Sequence, residues 1–131
     1  MSGNCVANKI LVVDADSGIR ELLFDSLPEL FSNIGISISI VLATNGREAL
    51  KHFKDSELRP GIVITGIEMP LINGWQLTKT IKKEHSSVPV IVMSGSPEPA
   101  DHQADAFISK PFKSMEGFAE TIRMLLATQA S

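Results

Sequence analysis

The chain has 131 residues, 44% hydrophobic and 21% charged, with a formal net charge of −3. That balance suits one globular domain with its own core, and with no Lys/Arg cluster longer than Lys82-Lys83 it gives no support to a nucleic-acid-binding surface. Cys5 is the single cysteine, which excludes an internal disulfide and a thiolate metal site. No stretch reaches the roughly 20 apolar residues of a membrane span, and the first nine residues lack a signal-peptide run, so a reducing cytoplasm is expected.

Residues 1–8 are expected to form an extended or disordered tail with an exposed Cys5 thiol, followed by one domain over 9–127 and a short tail at 128–131. KILVVD (Lys9 to Asp14) is a continuous apolar run, as in a strand buried on both faces. Ser17 is a candidate N-cap for a helix whose stripe is Ile19, Leu22, Leu23, Leu27, Leu30 and Ile34. Pro28 should kink or split that helix near Leu27. After Gly35, Ile36 to Ala43 alternates strictly, with Ile36, Ile38, Ile40 and Leu42 on one face, the pattern of an edge strand.

Thr44-Asn45-Gly46 leads into a second helix bearing Ala49, Leu50 and Phe53. Ile62 to Thr65 reads as a short buried strand that runs into a loop opened by Gly66, stiffened by Pro70 and closed by Asn73-Gly74. A third helix carries Leu77 and Ile81, with Trp75 as a packing residue at its start. Val90 to Met93 is a fourth strand and Ala106 to Ser109 a fifth. Between them, Ser96 to Asp105 has two prolines and no apolar stripe. Ser114 caps a last amphipathic helix with Met115, Phe118, Ile122, Leu125 and Leu126 on one face. Strand and helix alternate five times, which predicts an α/β, flavodoxin-like (βα)5 three-layer sandwich. Its parallel sheet has the order 2-1-3-4-5, and its fourth helix is shortened or irregular. His52, His85 and His102 are scattered over expected surface positions, which argues against a metal cluster.

In an open sheet of this kind, ligands sit beyond the carboxyl ends of the strands. There the chain brings Asp14, Thr65-Gly66, Ser94 and Lys110 to one rim. VVDAD, the loop from Ile67 to Gly74, PVIVMSG and FISKPF, in that order, resemble the motifs of the response-regulator receiver domain of two-component signalling. The resemblance covers roughly residues 9 to 127. It implies an aspartate ending the third strand that accepts a phosphoryl group from a histidine kinase. It also implies two acids after the first strand that hold Mg2+, and a hydroxyl and a lysine that contact the phosphoryl oxygens. A carboxylate nucleophile, a hard cation and hydrogen-bond donors are what such a transfer needs.

Carried over residue by residue, the resemblance is incomplete. Asp14 matches the first acid, but Ala15 stands for the second and Gly66 for the phosphoacceptor. Ser94 and Lys110 match the hydroxyl and the lysine, and Phe107 the aromatic of the switch. Asp14, Asp16, Glu68, Ser94 and Lys110 thus form a vestigial acidic and phosphate pocket, with no catalytic residue and no phosphoacceptor. Mg2+ binding is expected to be weak or absent, with Asp14 and Asp16 as the only weak candidates.

Asp14 serves as counterion to Lys110 in the plainer reading. Glu68 is either an exposed loop residue or, if it reaches Lys110, a substitute for the missing acid. Phe107 is either packed core or a mobile switch. The resemblance implies a non-enzymatic module that acts by contact with a protein partner: a signalling kinase, an output domain or a scaffold. Family members often pair through the fourth helix, fifth strand and last helix, and a dimer here should differ from that mode. A rival reading takes Asp14-Ala15-Asp16-Ser17 as the DxDx[ST] opening of a haloacid-dehalogenase-like phosphotransferase. Asp14 would be its nucleophile and Asp16 its general acid, but no later acid pair completes its metal site.

Overall fold

The apolar runs seen in the sequence become five parallel strands. These are β1 (Lys9–Val13), β2 (Ser39–Ala43), β3 (Ile62–Thr65), β4 (Val90–Ser94) and β5 (Ala106–Ser109), in the order β2-β1-β3-β4-β5. The computed structural model describes residues 8–54, 59–110 and 112–130, the last three without side chains; Cys5 lies outside them. β1, β3 and β4 have hardly an exposed residue because helices cover both sheet faces, which explains their unbroken Val/Ile/Leu character. α1 (Ser17–Ser32) and α4 (Met115–Ala130) cover one face, around Leu23, Leu27, Phe31, Phe118 and Ile122. α2 (Gly46–Lys51) and α3 (Gly74–Glu84) cover the other, around Ala49, Leu77 and Ile81. Val13 pairs with Thr65, Thr65 with Val92 and Ser94 with Ser109, so the carboxyl ends of β1, β3, β4 and β5 meet at one rim.

Several local expectations are corrected. Asp16, not Ser17, caps α1: its side chain accepts from the Gly18 amide at 2.8 Å. α1 runs unbroken through Pro28, which removes only the bond to the Phe24 carbonyl, while the fully buried Leu27 and Phe31 hold both sides to the core. The α1 stripe is Ile19, Leu23, Leu27 and Phe31; Leu22 and Ile34 are exposed. β2 starts at Ser39 rather than Ile36, and Leu42 faces solvent, because the sheet edge buries Ala43 and half-buries Ile40 and Val41. α4 continues to Ala130, into the stretch assigned to a tail.

The connection from β4 to β5 holds no helix. Residues 95–105 run as bends and irregular chain, where a shortened or irregular fourth helix is expected from the sequence. Side-chain contacts hold this connection. Lys82 Nζ, at the end of α3, donates to Asp105 Oδ2 at 2.9 Å and to the Ser86 and Val88 carbonyls at 3.2 Å. Asp105 Oδ2 also accepts from the Val90 amide at 2.8 Å. His102 is not a surface residue: its side chain is 14% exposed and bonds Glu98 at 2.6 Å. Its ring packs against Trp75, at a 5.3 Å centroid distance, and Phe107 at 6.3 Å. His85 likewise stacks on Phe53, at 4.7 Å.

Candidate functional site

Asp14 follows β1 and is 5% exposed. Its amide donates to the Ala43 carbonyl at 3.1 Å, and its own carbonyl accepts from Arg20 Nη1 at 2.6 Å, so its backbone is fixed from both sides. Oδ1 accepts from the Asp16 amide at 2.9 Å, and Oδ2 lies 3.1 Å from Lys110 Nζ, which arrives from the end of β5. A carboxylate this buried needs such partners, because an unpaired charge there would be costly.

Gly66 follows β3, with its amide bonded to the Val13 carbonyl at 2.8 Å. A Cβ built on Gly66 would stand 2.6 Å from Asp14 Oδ2 and 3.0 Å from Asp14 Cγ. The Asp14 carboxylate therefore fills the space into which a side chain at 66 would project. A second close approach holds the loop beyond: a Cβ on Gly74 would meet the Gly66 carbonyl oxygen at 2.0 Å, and the Gly74 amide bonds the Ile67 carbonyl at 2.8 Å. Only glycine allows that packing. Asn73 and Gln76 complete a reciprocal capping box that starts α3 directly after the loop.

A polar cavity of about 260 Å3 opens over this arrangement, lined by Asp14, Glu68, Ser94, Lys110 and their neighbours. Ser94 is 7% exposed, and its Oγ accepts from the Ser96 amide at 2.9 Å, so it caps its own loop. Glu68 reaches the rim but is exposed, and Lys110 bonds Asp14 rather than Glu68. Asp16 is exposed and spends its carboxylate on the α1 cap. Thr65 Oγ1 is turned to the Gly66 carbonyl at 2.8 Å. Phe107 is half-buried and stacks on Trp75 at a 6.4 Å centroid distance and 6° between planes, a packed aromatic.

Sequence reading missed Arg20, although its position one turn into α1 is where a side chain can reach back to the end of β1. It also missed His102, because nothing in SPEPADHQAD shows that the loop folds onto Trp75.

Both Asp14 oxygens are taken, Ala15 offers none, and Asp16 is committed to the helix; no group of three or more His, Cys, Asp or Glu able to hold a metal occurs among the described residues. The haloacid-dehalogenase alternative finds no support, since its nucleophile would be the paired, buried Asp14 and its acid the capping Asp16. No helix among the described residues is long and apolar enough to cross a membrane.

The response regulator receiver domain family matches residues 10–122. Chemotaxis protein CheY of Thermotoga maritima is 33% identical over 114 residues, 82% of this chain and 89% of that protein. Response regulator MprA of Mycolicibacterium vanbaalenii is 32% identical over 124 residues, 90% of this chain but 50% of that protein. The chain spans 30% of a protein-glutamate methylesterase/protein-glutamine glutaminase of Geobacillus kaustophilus to which it is 34% identical. Among solved structures, the response regulator TrrA of Thermotoga maritima, in complex with Mg(2+)-BeF, is similar with a TM-score of 0.73 and 32% identity, over 90% of this chain and 98% of that one. The signal receiver domain of a Syntrophus aciditrophicus histidine kinase is similar with a TM-score of 0.75 and 26% identity, over 92% and 91%. The strand order, the rim of Asp14, Ser94 and Lys110, and these similarities agree: the chain belongs to the response-regulator receiver domain family of two-component signalling.

Proposed function

We propose that this receiver domain takes no phosphoryl group and signals by protein–protein contact, as a cytoplasmic module without enzymatic activity of its own. Its partner is a signalling kinase, an output domain or a scaffold. The observation that carries the reading is the pair Gly66 and Asp14: residue 66 offers no nucleophile, and the space for one is filled by a carboxylate bonded to Lys110. Asp14 does not replace the acceptor, because attack would cost it the Lys110 contact and the Asp16 amide bond together. Mg2+ binds weakly or not at all, since this cation usually takes one or two carboxylates plus substrate phosphates.

Incubation with acetyl phosphate and Mg2+ followed by intact-mass measurement is expected to show no added phosphoryl group, and calorimetric titration with Mg2+ no sub-millimolar binding. A labile gain of one phosphoryl mass would overturn the proposal.

A further inference from the structure

Leu71 carries two costs at once. Among the described residues it is the only non-glycine with a left-handed backbone, at φ +75°, and the residue is 68% exposed. A bulky residue is seldom held so, and glycine would remove both the strain and the apolar exposure. The neighbours are fixed: Ile72 packs so closely on the start of α2 that a Cβ on Gly46 would stand 2.8 Å from it, and Asn73 caps α3. Leu71 is therefore a rigid apolar knob. Glu68, three residues earlier, is exposed and makes no hydrogen bond or ion pair among the described residues.

The same rim carries a socket on its other flank. Ile19, Leu22, Phe112 and Met115 line a groove of about 410 Å3, with Lys110 and Lys113 at its edge. Lys113 is exposed and likewise makes no hydrogen bond or ion pair among the described residues. The knob's loop packs with the α2/α3 core and the groove's residues with the α1/α4 core; Glu68 of that loop lines the Asp14–Lys110 cavity, and Lys110 lines both the cavity and the groove.

We propose that two copies of this chain dock rim to rim, each Leu71 entering the other copy's groove and each Glu68 pairing with the other copy's Lys113. A two-fold axis through the cavity makes both engagements at once, as a self-complementary interface requires. The charges are complementary, acid beside the knob and base beside the socket. The contact is small, so the dimer is weak and concentration-dependent. This deepens the reading that the module works by protein contact, and it fails separately: a chain that stays monomeric and also takes no phosphoryl group would sink the dimer alone.

Sedimentation velocity over a concentration series tests it. Leu71→Asp and Leu71→Gly are each expected to weaken association by roughly tenfold or more. Leu71→Gly should at the same time raise the melting temperature, which separates lost docking from lost folding. Glu68→Lys and Lys113→Glu should each weaken the dimer, and the double variant should restore it. A monomer at every concentration, a dimer indifferent to both Leu71 changes, or a charge swap that fails to restore would each overturn the proposal.

Discussion

Gly66 and Asp14 compete for one volume, and that competition decides what substitutions at residue 66 do. Asparagine there must push the Asp14 carboxylate aside and break its 3.1 Å contact with Lys110, which is expected to cost about 1–2 kcal/mol. Aspartate brings the same crowding plus a second buried carboxylate facing one lysine, so Gly66→Asp should destabilise more than Gly66→Asn at neutral pH. Urea unfolding of the two variants checks this; equal losses would show that crowding alone matters. The sequence revealed the absent nucleophile, since a glycine at a strand end can be read directly. It could not reveal that Asp14 fills the gap, because that depends on the register of β1 against β3 and on a side-chain rotamer.

At the scale of elements, the missing helix between β4 and β5 shows how side chains replace a regular structure. The Lys82 ammonium gathers two carbonyls and Asp105 at the point where α3, β4 and β5 converge. Lys82→Met keeps the aliphatic stem and removes these bonds, with an expected loss of about 1–2 kcal/mol on chemical unfolding; an unchanged midpoint would show that the connection is held by its rings. The irregular stretch was legible from its two prolines and lack of periodicity. Its anchors were not, since Lys82, Trp75 and His102 lie far apart in sequence. The edge position of β2 was likewise legible from alternation, whereas Pro28 misled because its local penalty was set against the burial of Leu27 and Phe31 on either side.

For the whole molecule, acid sensitivity follows from two histidines. Burial, then the Arg59 guanidinium, holds His85 below the ordinary histidine range; burial, then Lys9, does the same for His52. His85 Nδ1 lies 3.0 Å from Arg59 Nη1, a bond that only an unprotonated nitrogen can accept. The native state thus favours the neutral rings. Their stabilisation is present above the unfolded value of about 6.5 and is lost as pH falls through the lowered native values. The melting temperature should decline as pH falls below about 6.5, with a shallower decline in His85→Gln; identical slopes would remove His85 as a cause. Glu48, lowered chiefly by its bond from the Thr44 amide, acts in a separate window, below the ordinary glutamate value of about 4.5. The strand order was legible because five apolar runs, most of them separated by helices, leave few solutions.

The placement of Trp75 has a practical consequence. It is the only tryptophan in the chain, and it lies against His102, in the strap that replaces a helix, and against Phe107 of β5. Intrinsic emission therefore reports on the seating of that strap, while far-ultraviolet ellipticity reports on the backbone of the sheet and helices, so the two optical signals read separate parts of one fold.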